Sequence, residues 1–180
     1  MIYKNLKIKG DKKMNKPIVK IYVRDYGAMT AELYPDKAPV TVENFVGLVK
    51  SGFYSGMIFH RVIKGFMIQG GGFDESFSQK RAKAIKGEFA ANGHVINDIK
   101  HVKGVLSMAR TSDPDSASSQ FFIMHDDAPY LDSQYAAFGK VIDGEDIIDR
   151  IASVKTSRLG YYDDVPRVPV VIEKMEIIEE

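Results

Sequence analysis

Arg61 is the residue in this sequence that folding alone explains least well. It lies in the run Phe59-His60-Arg61-Val62-Ile63-Lys64-Gly65-Phe66-Met67-Ile68-Gln69-Gly70-Gly71. Read as a strand, a period of two puts Phe59, Arg61 and Ile63 on one face and Ile58, His60 and Val62 on the other. A guanidinium is always charged and rich in donors, and isolated buried charge is expensive. Arg61 is therefore either an outward residue on a sheet edge or a group held in a site.

Other reactive residue types are arranged less tellingly. The chain has no cysteine, which removes disulfides, thiolate metal sites and a cysteine nucleophile. His94, Asp98 and His101 are spaced by four and three, but their segment reads as a loop and no fourth metal ligand is evident. Gly70-Gly71-Gly72 lacks the Gly-Lys-Ser/Thr of a phosphate loop and reads as a tight turn. Ser107 and Ser119 have no nucleophile-elbow pattern around them. Asp113-Pro114-Asp115 reads as a surface turn, and Met108 and Met124 as core. Phe66, Met67, Phe122 and Leu131 are open to two readings, plain core or the wall of a site. Gln69 and Gln120 are equally open.

The elements that must position these residues are mostly short strands. Residues 18–23 are β-branched and aromatic, 28–34 alternate, and Asp25, Tyr26 and Gly27 make the turn between them. Val42, Phe45, Val46 and Val49 recur at helical spacing, with Pro39 in a first turn and Gly52 at the end. Strands are expected at 57–62, 66–69, 104–109, 120–124, 136–142 and 170–178, with 74–101 mostly loop. Asp143 is placed to cap a second helix whose apolar face carries Ile147, Ile148 and Ile151. Residues between that helix and the last strand, including Gly160, Pro166 and Pro169, read as loop. Many strands and two helices predict a closed or sandwiched all-β core in one domain.

Of the 180 residues 44% are hydrophobic, enough for a sizeable core, and 25 Lys and Arg oppose 24 Asp and Glu for a net charge of +1. Such a balance gives no electrostatic footprint for nucleic acid. No uncharged apolar run approaches the roughly 20 residues that span a bilayer. The expectation is a cytoplasmic protein with no membrane or nucleic-acid partner, monomeric by default.

The run around Arg61 resembles the signature of the cyclophilin family of prolyl isomerases. So do Gly104-Val105-Leu106-Ser107-Met108-Ala109-Arg110 and Ser119-Gln120-Phe121-Phe122-Ile123. Tyr130-Leu131-Asp132, followed by Phe138-Gly139-Lys140-Val141, completes four motifs in family order. The similarity extends from about Pro17 to about Glu176. It implies an eight-stranded antiparallel β-barrel capped by two α-helices, and a peptidyl-prolyl cis/trans isomerase that assists protein folding. No cofactor or metal is implied, and the substrates are proline-containing polypeptides.

On this resemblance the catalytic arginine is Arg61, with Gln69 holding its guanidinium or the substrate carbonyl. The proline pocket falls on Phe66, Met67, Phe122 and Leu131. Gln120 lines the site, Ala109 and Arg110 match the segment whose backbone binds peptide, and His60 lies beside the groove. Two aromatic positions depart from the family. Tyr130 stands where many members have tryptophan, and Tyr135 where many have histidine. Both keep an aromatic wall. In the family the cyclic peptide cyclosporin uses the tryptophan ring nitrogen, so weakened cyclosporin binding is expected. Arg110 replaces a smaller polar residue. If its side chain leans over the groove, it favours acidic residues near the proline. The same groove also allows a rival reading, a proline-directed binding or chaperone module with incidental catalysis. Arg61 argues against it, because binding alone does not demand a guanidinium.

The first residues, 1–15, stand outside the resemblance as an extension to the isomerase domain at 16–180. Lys9-Gly10-Asp11-Lys12-Lys13 can be encoded by a purine-rich bacterial ribosome-binding sequence ahead of an ATG for Met14. Two readings follow: Met14 is the native initiator behind a translated leader, or the extension is a disordered basic tail.

Overall fold

The structure, a computed structural model, describes residues 15–180. The two readings of the chain start, with Met14 as initiator, lie outside the described residues. Eight strands close into an antiparallel barrel: β1 (Ile18–Val23), β2 (Gly27–Leu33), β3 (Met57–Ile63), β4 (Met67–Asp74), β5 (Val105–Met108), β6 (Phe121–Met124), β7 (Ala137–Asp143) and β10 (Val171–Glu179). Around the barrel the order is β1-β10-β3-β4-β6-β5-β7-β2. Closure pairs β1 with both β2 and β10, so no strand edge is left open. Two helices, α1 (Pro39–Lys50) and α2 (Glu145–Ala152), cover the barrel.

Alternation decides what fills the barrel. Ile68, Phe121 and Ile123 point inward with Ile21, Met29, Leu33 and Phe138, and Phe45 of α1 packs against the same core. Their sequence neighbours Met67, Phe122 and Met124 point outward and form a second cluster with Val105, Leu131 and Ala137. Phe66, Met67, Phe122 and Leu131 are therefore not plain barrel core.

The strict alternation expected of β3 fails at one place. Phe59 pairs with Gly70 and Arg61 with Gln69, so two residues of β3 advance against one of β4. This is a β-bulge at His60, which leaves a residue unpaired and re-aims its neighbours. As a result Phe59 and Val62 both belong to the interior cluster, while Arg61 is exposed. His60 goes to the outer side, its ring 4.7 Å from that of Phe73.

Three other expectations are corrected. Gly70-Gly71-Gly72 is not a tight turn but the middle of β4, where the irregular pairing needs it. Gly71 has φ +83, and a Cβ there would lie 2.8 Å from the Ser119 carbonyl oxygen. The second helix is capped by Gly144 (φ 84), not by an Asp143 side chain. Asp143 is still paired with Thr30 in the sheet, so the turn falls to the next residue. The segment between α2 and the last strand is not loop but a hairpin, β8 (Thr156–Leu159) and β9 (Tyr162–Pro166). Its exposed polar residues hide the period-two signal that burial would give.

The long loop 75–104 is tied down by buried polar groups. Glu88, 3% exposed, accepts hydrogen bonds from the backbone N–H groups of Val40 (3.0 Å) and Thr41 (2.8 Å) and from the Thr41 hydroxyl (2.7 Å). Ala38 at the N-cap supplies no side-chain bond, so a carboxylate 47 residues away satisfies the first turn of α1. Asn97 donates to the carbonyls of Glu88 and Ala137 and secures the same loop. Glu88→Ala leaves those donors without partners, so we expect a loss of about 2 kcal/mol of stability in urea unfolding. A midpoint unchanged from wild type would show that water replaces the carboxylate without loss.

Candidate functional site

The outward faces of β3, β4, β5 and β6 make one wall of a groove, and the segments around residues 110 and 131 make the other. Met67 forms the floor, 1% exposed, with Phe122 at 5% and Leu131 at 7% beside it. Phe66 follows the turn at Gly65 (φ 78) and forms a side wall. Together with Arg61, Gln69, Ala109, Arg110 and Tyr135 they line a cavity of about 170 Å³. An apolar floor with convergent donors at the mouth is the form of a small-ligand site.

Each of the other expected residues is adjacent. Gln120 accepts a hydrogen bond from the Gln69 side-chain amide at 3.0 Å, which joins the two glutamines into one polar edge. A Cβ on Gly72 would fall 2.5 Å from the Gln120 amide, so the glycine makes room for it. Tyr130 is exposed, with its ring 6.0 Å from Phe66, and extends the apolar wall towards solvent. His60 lines a neighbouring cavity behind Arg61.

Two expectations about side-chain roles change in detail. Gln69 bonds Gln120 and not Arg61, although Gln69 and Arg61 are cross-strand partners. Among the described residues the Arg61 guanidinium has neither ion pair nor hydrogen bond. Arg110 does not reach freely over the groove. Its guanidinium donates to the Gln134 carbonyl (2.9 and 3.3 Å) and the Thr111 carbonyl (2.9 Å), and stacks 4.6 Å from the Tyr135 ring and 5.0 Å from Phe89. That bonding fixes the wall containing Tyr135, whose ring meets Phe122 edge-on at 6.0 Å.

The sequence reading missed the residues that hold the pocket's walls. His101 carries no metal-site geometry and instead braces the segment after Leu131. Its backbone N–H donates to Asp132 Oδ1 at 2.7 Å, its Nδ1 lies 3.2 Å from the same oxygen, and its Nε2 lies 2.9 Å from the Ser107 hydroxyl. A carboxylate only accepts, so Nδ1 carries the proton and Nε2 accepts from Ser107. Burial holds the His101 pKa below its ordinary value, against the opposing pull of Asp132. Burial pushes the Asp132 carboxyl up, but hydrogen bonds from the His101 backbone and ring outweigh it and the net shift is down. His125 does the same for the opposite wall. Its Nδ1 accepts from the Gly65 N–H at 2.9 Å, its Nε2 meets Asp149 at 3.2 Å, and its backbone N–H donates to the Phe66 carbonyl. Residue type alone gave no signal for either role, because both depend on contacts between distant elements. His94 accepts no such role, its Nε2 lying 2.8 Å from the Lys37 carbonyl, with Asp98 paired to the Lys37 amine at 2.7 Å.

Residues 18–177 match the family described as cyclophilin type peptidyl-prolyl cis-trans isomerase/CLD. The chain belongs to the cyclophilin family. A peptidyl-prolyl cis-trans isomerase of Acinetobacter baylyi is 49% identical over 157 residues, 84% of this chain and 80% of that protein. Peptidyl-prolyl cis-trans isomerase B of Escherichia coli is 43% identical over 86% of this chain and 96% of its own length. Among solved structures, a cyclophilin of Cryptosporidium parvum superposes with a TM-score of 0.76 at 28% identity, covering 92% of this chain and 99% of that one. The same protein was solved in the presence of the dipeptide Ala-Pro, with a TM-score of 0.75 to this chain. The fold of this cyclophilin, a closed eight-stranded barrel with two helices, agrees with that resemblance.

His60 provides a pH test of the site's packing. Burial, helped by the Arg61 charge, pushes its pKa from 6.5 down to about 4. A histidine kept neutral in the fold stabilises it above the unfolded pKa, and that stability is lost as pH falls towards the folded value. Wild-type stability should therefore drop by about 3 kcal/mol between pH 6.5 and 4 from this group. His60→Gln should flatten that part of the profile in urea unfolding at stepped pH. An equally steep decline in the variant would show that His60 titrates normally.

Proposed function

We propose that this groove accelerates rotation about X–Pro peptide bonds, with the proline ring seated on Met67, Phe122, Leu131 and Phe66 and Arg61 acting on the bond. The reading deepens the family's isomerase chemistry with this chain's own geometry. The observation that carries it is the Arg61 guanidinium, unpaired at the mouth of an apolar pocket that a bulge turns it towards.

Amide resonance sets a barrier of roughly 18–20 kcal/mol to rotation. Cis and trans X–Pro forms lie within about 1 kcal/mol, yet exchange over tens of seconds or longer. No covalent bond breaks, so the reaction needs only selective stabilisation of the twisted state. As the bond twists, conjugation is lost and the proline nitrogen regains its lone pair. A guanidinium donor can bond that nitrogen, or the adjacent carbonyl, more strongly in the twisted than in the planar form. The apolar floor holds the ring, excludes water and keeps the donor's bond strong. The Gln69–Gln120 edge and the backbone at Ala109 and Arg110 hold the flanking peptide. His101, Asp132 and His125 keep the walls in place without touching substrate. A role in folding proline-containing client chains follows from this chemistry.

Exchange NMR on an X–Pro peptide tests the role of Arg61. Arg61→Ala should lower kcat/KM by about 10²–10³, with peptide affinity changed by only a few-fold. Arg61→Lys should recover little, because a point charge lacks the planar fork. Wild type that binds peptide without speeding exchange would leave the groove as a binding module. Cyclosporin should bind weakly, because the Tyr130 hydroxyl cannot present a donor where an indole N–H does. Calorimetry should show Tyr130→Trp regaining affinity, and tight binding by wild type would refute the dependence on that position.

A further inference from the structure

Behind Arg61 lies a second cavity of about 380 Å³, between β3–β4 and the β8–β9 hairpin. Arg61 and Gln69 line both this cavity and the proline pocket. The two cavities therefore adjoin, and a peptide with its proline seated can run one flanking side towards the hairpin. One wall is an aromatic row: His60 lies on Phe73 at 4.7 Å, and Tyr162 meets Phe73 edge-on at 5.2 Å. Tyr161 stands at the rim, 94% exposed. Next to Tyr162 in β9, Asp163 and Asp164 also line the cavity. Asp163 is 3.6 Å from Arg158, both well exposed, so that pair is weak. Asp164 has no ion-pair partner among the described residues.

An independent observation is an unpaired polar group in the cavity's lining. His60 is 4% exposed, and its Nδ1 is buried with no hydrogen-bond partner. Neither ring nitrogen is bonded within the described residues, and buried polar atoms are nearly always paired. The ring is neutral near pH 7, so it tolerates a cation and can accept a hydrogen bond from a ligand N–H.

The opposite arm of the groove has the reverse character. Lys80, Arg81 and Arg110 line a cavity of about 420 Å³ on the far side of Gln69 and Gln120. The groove is thus basic at one end and acidic and aromatic at the other.

We propose that the hairpin cavity is a specificity site that takes a Lys or Arg side chain flanking the substrate proline, held by the tyrosines and the Asp163 and Asp164 carboxylates. Tyrosine faces attract cations, and the carboxylates add charge complementarity. This inference rests on the proline-binding reading of the neighbouring pocket.

The test uses X–Pro peptides in an alanine frame, with Lys or Glu placed in turn at the two positions on each side of X–Pro. Exchange NMR gives kcat/KM and calorimetry gives affinity. On one flank only, Lys should exceed Glu by about tenfold in both, the sum of an attraction gained and a repulsion avoided. In D163N/D164N the ratio should fall to about twofold or less, as it should for wild type in high salt. Asn tolerates the φ of 60 at residue 164, so the variant keeps the irregular stretch of β9 that faces Ser157–Leu159. Equal use of Lys and Glu by wild type overturns the proposal. So does a Lys preference on both flanks, or one that survives in the double variant. If the alanine-frame peptide binds but its exchange is not accelerated, the isomerase reading fails, and the calorimetric ratio still decides the site.

Discussion

Between Phe59 and Arg61 two residues of β3 face one of β4, and the groove exists because of that mismatch. In a regular strand Arg61 would share a face with Phe59, and Phe59 is inside the barrel at 0% exposure. A guanidinium there would be an uncompensated buried charge. The bulge at His60 lets Phe59 and Val62 both stay in the core while the residue between them and solvent carries the charge. The cost falls on β4, whose glycines must accept close backbone contacts and a left-handed φ that side chains resist. Gly70, where a Cβ would lie 2.8 Å from the Ile58 carbonyl oxygen, thus serves Arg61 from across the sheet.

A closed barrel suits a reaction that makes and breaks no covalent bond. The interior cluster keeps the strands fixed, so the outward residues of β3, β4 and β6 keep their relative positions without help from ligand. The pocket therefore costs little to organise on binding, and that preorganisation lets a donor favour one conformer of the substrate over another. The less regular walls are secured by side chains instead. His101 joins the Leu131 segment to β5, and His125 joins the Phe66 turn to α2.

The barrel strands and both helices were legible because burial on one face writes a period into the sequence. Val42, Phe45 and Val49 mark α1 in this way, and Ile147, Ile148 and Ile151 mark α2. The residues of the pocket came from motif resemblance, since nothing in Phe122 or Met67 alone separates an outward wall from a core. The β8–β9 hairpin was not legible: Ser157, Arg158 and Tyr161 are exposed and give no alternation. The bulge was hidden too, because it depends on the register between two strands. So was the fate of Asp143, a good capping residue held by the sheet one position before the helix. The pairing of Gln69 with Gln120 follows from β4 lying beside β6, which strand content alone does not dictate.

The carboxylate of Glu88 ties the start of α1 to the middle of the loop 75–104. Neither piece is complete by itself: the helix lacks acceptors for its first amides, and the loop has few apolar anchors beyond Phe89 and Ile85. During synthesis the helix leaves the ribosome well before its cap does. Its first turn must wait, frayed or water-bonded, until the chain has grown past residue 88. Once both are docked, they open together. Amide exchange at Val40 and Thr41 therefore reports on the loop as much as on the helix, and a proteolytic cut in the loop would be felt in the first turn of α1.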